Sequence, residues 1–131
     1  MIFLTVEEVI GIHDMLISTY GGLHGIRDMG LLVSAIEMPK AMMFGEYLHE
    51  SVHDKAAAYL FHIVGNHAFL DGNKRTGAAA TLIFLNQNMV KTKYDISEFE
   101  EMVCLVAQSQ MNKNKISEFL RNGGRVQNVN D

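Results

Sequence analysis

His67-Ala68-Phe69-Leu70-Asp71-Gly72-Asn73-Lys74-Arg75-Thr76 is a charged stretch between the two most apolar segments of the chain, Ala56 to Val64 and Gly77 to Leu85. Each flanking segment is apolar almost all the way round at helical spacing, the pattern of helices buried at the centre of a bundle. A polar loop between two such helices has few reasons to exist unless it is used. Gly72 permits a tight turn, and the helix expected to begin near Asn73 directs free N–H groups and its dipole's positive end at the loop. Lys74 and Arg75 add two full charges, giving an anion site sized for phosphates. Asp71 is a carboxylate of the kind that holds Mg²⁺ together with phosphate oxygens. His67, of a residue type that titrates near neutrality, can act as general base toward an incoming hydroxyl. Phe69 is expected to pack inward and anchor the loop. Base, metal carboxylate and phosphate cradle together point to phosphoryl or nucleotidyl transfer. The plainer alternative is a helix start with a solvated Lys-Arg pair and a hydrogen-bonded histidine. It accounts for any one residue but not for the set. A P-loop is rejected, because the Gly65 to Gly72 spacing is too long, Arg75 follows Lys74, and no strand precedes the run.

Upstream, Thr5-Val6-Glu7-Glu8 has capping-box spacing, and the periodicity predicts a first helix over Val6 to Tyr20. Gly21, Gly22 and Gly25 break it. Asp28 caps a second helix, Met29 to about Met38, ended by Pro39. Residues 40–50 have no clear period and read as an irregular segment or short hairpin. Downstream, Val90 to Ile96 is short and β-prone. Ser97-Glu98-Phe99-Glu100 caps a further helix with Phe99, Met102, Val103 and Val106 inward, and a last helix covers about Lys115 to Asn122. The expected fold is all-α, a bundle of about six helices around two central buried ones, with a short flap segment. One domain covers residues 1–124, and 125–131 form a polar tail.

The 131 residues carry fifteen acids against eleven bases, a net charge of −4. That balance argues against direct nucleic-acid binding and against an anionic membrane surface as partner. No stretch reaches the roughly 18 apolar residues of a spanning helix. The N-terminus lacks a basic region before its apolar residues, so a cytoplasmic location is expected. The single cysteine excludes an internal disulfide and a Cys-based zinc site. Cys104 stands among Met102, Val103, Leu105 and Val106 and reads as core filler.

The run from His67 to Arg75 resembles the Fic/Doc family signature H-x-F-x-[D/E]-G-N-[G/K]-R at every specified position. Ile12-His13-Asp14, Tyr20-Gly21-Gly22-Leu23 and Gly25-Ile26-Arg27-Asp28 are similar to the N-terminal half of death-on-curing toxins, so the resemblance covers residues 3 to 90. It implies a Fic-like helical fold in which His67 deprotonates a hydroxyl on a protein target. It also implies that Asp71 coordinates Mg²⁺ on the phosphates of ATP, and that Gly72, Asn73, Lys74 and Arg75 cradle those phosphates. Residues 40–50 would then be the flap that aligns the target chain as an added strand.

Two departures separate the branches of the family. Most Fic proteins carry Gly where this chain has Lys74 and a second Arg where it has Ala78, and those enzymes transfer AMP. Lys74 crowds the pocket that would hold the phosphates in that orientation, and Ala78 removes a phosphate clamp. The death-on-curing branch shares both changes and is similar to a protein kinase acting on a threonine of elongation factor Tu. Phosphorylation is therefore favoured over AMP transfer. Gly72 matches the general Fic pattern, and His24 stands where related chains often have Pro. The family's inhibitory motif [S/T]-x-x-x-E-[G/N] finds no match, since Ser97 to Glu101 is followed by Met102. The resemblance thus implies an inhibitor in trans, a Phd-like antitoxin whose tail folds on this surface.

His49-Glu50-Ser51-Val52-His53 competes, because it matches the zinc-protease pattern H-E-x-x-H, with His62 or His67 as a third ligand. Ala56 and Tyr59 occupy the Gly and His positions of the longer signature, which weakens a zinc hydrolase. His13 reads as a hydrogen-bonded core histidine and His62 as support for the loop. A catalytically dead binding module is the remaining alternative, opposed by intact His67, Asp71 and Asn73.

Overall fold

Thr5 and Glu8 form the capping box, each side chain bonding the other's backbone N–H, and start α1 at Val6–Tyr20. This arrangement comes from a computed structural model, which describes residues 1–123. The expected tail and the last residue of the expected domain lie outside the described residues. Asp28 caps α2, Met29–Glu37, and Pro39 turns the chain through a short 3₁₀ helix, Met38–Lys40. Residues 40–50 contain the hairpin: β1 (Met42–Met43) pairs antiparallel with β2 (Glu46–Tyr47), Met42 opposite Tyr47. Its turn residues Phe44 and Gly45 both have positive φ, as a two-residue hairpin of this hand requires, and Phe44 is 98% exposed at the tip.

The central helix is α3, Val52–Asn66, packed against α2, α4, α5 and α6. It is followed by α4 (Asn73–Gln87), α5 (Ile96–Ala107) and α6 (Lys113–Arg121). Ala56 to Leu60, Ile63 and Val64 on α3 are buried, as is Tyr59, whose hydroxyl accepts the Leu4 N–H at 2.9 Å. Burial holds the Tyr59 phenol up at about 12. Gly77 lets α4 approach α3 closely, for a Cβ there would stand 2.7 Å from Val64 Cγ2. The N-terminal residues are tied to the far end of α4: Ile2 exchanges two hydrogen bonds with the Asn88 side chain.

Four sequence expectations change. The Gly77 to Leu85 segment is not buried all round; Ala78, Ala79 and Leu82 are half-buried along a cavity, and Ile83 is exposed. Val90 to Ile96 forms no strand, because no strand edge is there to pair with it. Its Tyr94 instead stacks on Phe99 and Phe119 and donates its O–H to the Leu120 carbonyl at 2.8 Å. The cap of α5 is Asp95 rather than Ser97, since the Asp95 carboxylate accepts the Glu98 N–H. Asn112 does the same for α6, starting it at Lys113. The inward residues of α5, Phe99, Met102, Val103 and Val106, are buried as expected. No helix among the described residues is long and apolar enough to cross a membrane.

Candidate active site

The loop between α3 and α4 is held from three sides. His67 ends α3 in the left-handed conformation, φ 49° and ψ 46°, which turns the chain sharply out of the helix. Behind it, Ile26 and Phe69 form an isolated bridge, with Arg27 N–H donating to Ala68 O at 2.7 Å and Leu70 N–H to Gly25 O at 3.1 Å. Phe69 is buried, and its ring stacks on the buried His13 at 3.8 Å between centroids and 5° between planes. His13 Nε2 donates to the Asp71 carbonyl at 2.8 Å, so His13 is a core histidine with a defined proton position. Asn73, the first residue of α4, bonds the N–H and the carbonyl of Phe69 together.

Gly72 carries φ 78°, and a side chain there would meet Ile17 Cδ1 at 3.0 Å. No side chain caps α4 among the described residues, so its first-turn N–H groups are left for an anion or for water. Lys74 and Arg75 are exposed and take part in no ion pair among the described residues. The Arg75 guanidinium lies over the Tyr20 ring at 4.7 Å. Asp71 Oδ1 accepts the Gly72 N–H at 2.9 Å and Oδ2 accepts the Leu23 N–H at 3.1 Å. Gly22 is required beside it, since a Cβ there would stand 2.6 Å from Asp71 Oδ2. Each Asp71 oxygen keeps a lone pair, a hard donor of the sort Mg²⁺ takes. Among the described residues no group of three His, Cys, Asp or Glu side chains could hold a metal alone. A cation at Asp71 would therefore share its coordination with water or phosphate.

His67, Asp71, Gly72, Asn73, Lys74 and Arg75 all line one cavity of about 1030 Å³. Its other wall is α5 and the segment before it, including Tyr94, Phe99, Glu100 and Cys104. The cavity thus has a charged end on the loop and an apolar end between α4 and α5. The sequence reading missed this second wall. Cys104 is exposed on the cavity and is not core filler. At about 100° per residue, position 104 falls on the far side of α5 from the Phe99–Met102–Val103–Val106 stripe, and that signal was available.

The competing histidine motif does not assemble. Ser51 caps α3, so His49 and Glu50 precede the helix and share no face with His53. His62 does not support the loop. Instead Lys113 Nζ sits between His49 Nε2 at 3.1 Å and His62 Nε2 at 3.2 Å. Burial and the Lys113 charge push the His62 imidazole down to about 4 and lower that of His49. Both rings are neutral acceptors, and the Lys113 ammonium takes the two Nε2 lone pairs that a zinc ion would need. His24 is exposed, 3.5 Å from Asp14.

A helical bundle that presents a histidine, a carboxylate and a basic helix start to one cavity is the architecture of Fic-type proteins. The chain belongs to the Fic/DOC family, whose model matches residues 3–85. It is 40% identical over 90 residues to Toxin Doc of Mycolicibacterium smegmatis, covering 67% of this chain and 69% of that one. It is 32% identical over 115 residues to Protein kinase doc of Escherichia phage P1, covering 88% of this chain and 90% of that one. These relatives place it in the death-on-curing branch.

Proposed function

We propose that the protein is a toxin that phosphorylates a hydroxyl side chain on a cytoplasmic protein, with ATP as donor and Mg²⁺ as cofactor. The observation that carries this reading is the convergence of His67, Asp71 and the uncapped start of α4, with Lys74 and Arg75, on one cavity. His67 takes the proton from the target hydroxyl as its oxygen attacks the γ-phosphorus. The bond from that phosphorus to the bridging oxygen breaks, and ADP leaves. Charge on the phosphates is met by the N–H groups of the first α4 turn and by Arg75. Mg²⁺, bound through Asp71 and phosphate oxygens, would neutralise part of the same charge. Lys74 and Ala78 favour phosphoryl over adenylyl transfer, and the name of the phage P1 relative agrees. Elongation factor Tu is the proposed target, and the exposed hairpin would align its segment. A Phd-like antitoxin is the proposed restraint in trans, consistent with relatives named as Doc toxins.

The test is incubation of the purified chain with ATP, Mg²⁺ and bacterial lysate, followed by mass spectrometry. A phosphorylated threonine on elongation factor Tu, absent with His67→Ala, is expected. An adenylyl group, or marking that persists in the variant, overturns the reading. A chain inert with ATP and target when alone would remove the need for an antitoxin.

A further inference from the structure

One residue, Arg27, grips three successive carbonyls at the point where α3 gives way to the loop. Its guanidinium donates from Nε to the His67 carbonyl at 2.7 Å and from Nη2 to the Asn66 carbonyl at 3.2 Å. Its own backbone N–H donates to the Ala68 carbonyl at 2.7 Å. The last carbonyls of a helix have no partner inside it, and the helix dipole favours a cation at that end. The middle carbonyl belongs to His67, whose φ of 49° is a conformation that a residue with a Cβ adopts reluctantly. The left-handed turn decides in which direction the His67 side chain leaves the backbone. If it relaxes to the right-handed region, the Cβ swings round and α3 runs on past its present end.

We infer that Arg27 is a positioning residue for the His67 base: its side chain fixes the left-handed turn that presents the imidazole to the cavity. This rests on the reading of His67 as base. Arg27 is not among the residues lining the cavity, so it acts through His67 and not on the phosphates. A plain helix cap would explain the Asn66 bond alone. The shorter bond, however, goes to the carbonyl of His67 itself. Lysine would bring the charge but lacks the planar fork that meets two carbonyls at once.

The experiment compares Arg27→Ala and Arg27→Lys with the unaltered chain. It measures label transfer from γ-labelled ATP into lysate proteins at varied ATP, the thermal midpoint, and the backbone NMR shifts of His67. Arg27→Ala is expected to lower the saturating rate roughly 10- to 100-fold, the scale of a base misplaced by about an ångström. Its apparent KM for ATP should stay within about twofold, and its His67 carbonyl signal should move. Arg27→Lys, folded to the same degree, should recover part of the rate. Where His67→Ala leaves a residual rate above background, the Arg27 substitution should not lower it further. An unmoved His67 signal overturns the inference. So does a rate loss that tracks the unfolded fraction, or the same loss with His67 already absent. Full activity of His67→Ala alone would instead reject the base assignment, and the NMR shift reports on the Arg27 grip independently of that result.

Discussion

Asn73 and Phe69 are joined by two hydrogen bonds, the Asn73 Nδ2 donating to the Phe69 carbonyl and Oδ1 accepting its N–H, both at 3.0 Å. The first residue of α4 therefore spends its side chain on the loop's own backbone, and only its main-chain N–H is left for an anion. Asn73→Ala should destabilise the fold by about 1–3 kcal/mol, since two partly buried backbone groups lose their partner. Transfer should fall by more than stability alone explains. Thermal melts and initial rates on the same preparation check this, and an unchanged rate at equal folded fraction would count against the clamp.

Gly77 is the contact point of α3 and α4. A methyl added there would sit 2.7 Å from Val64 Cγ2 and 3.5 Å from the Ile63 and Leu60 side chains. Gly77→Ala should cost about 1–3 kcal/mol through overpacking, outweighing the gain in helix propensity of about 1 kcal/mol. Urea titration reads the difference, and a stabilised variant would mean that the helices part at no cost.

The Lys113–His49–His62 cluster makes stability depend on pH. The His62 imidazole titrates at about 4 in the fold against 6.5 unfolded, for reasons of burial, Lys113 and His49, in that order. A lowered folded value means stability is complete above 6.5 and drains away as pH falls toward 4. The full shift would be worth about 3 kcal/mol, and partial exposure of the ring cuts that to about 1–2 kcal/mol. His62→Gln still accepts from Lys113 but does not titrate, so its stability should fall less across this window. Parallel stability curves for the two proteins would rule this out.

Cys104 is an exposed thiol on the cavity wall. A maleimide should label it in the folded protein at a rate close to that in denaturant. Cys104→Ser should change stability by no more than about 0.5 kcal/mol. Protection from labelling until the chain unfolds would restore the buried placement.

The helical architecture and the His67 to Arg75 loop were legible because their signals are local. Capping at Thr5 and Asp28, breaks at Gly21 and Pro39, and the apolar run of α3 each lie within a few residues of what they determine. The outward register of Cys104 was legible from the period of α5. That Tyr94 and Cys104 face the same cavity as the loop was not, since α5 lies across it only in the folded chain. The same holds for Arg27, whose meaning depends on carbonyls roughly forty residues downstream. The H-E-x-x-H match, already the weaker alternative, fails because it assumes one helix, and the Ser51 cap falls inside it.

The two hydrogen bonds between Ile2 and the Asn88 side chain fix where the beginning of the described chain emerges. That point is beyond the end of α4, whereas the phosphate-cradle residues are at its start; fifteen residues at about 1.5 Å each set the two roughly 20 Å apart. Any peptide joined ahead of Met1, whether an affinity handle, a fluorescent reporter or a natural extension, leaves the bundle away from the phosphate cradle but on the side of the hairpin, where the Phe3 ring packs 5.9 Å from that of Tyr47. Attachment chemistry at that end thus leaves the phosphate cradle open to solution, and a long linker is needed to keep the attached group off the hairpin.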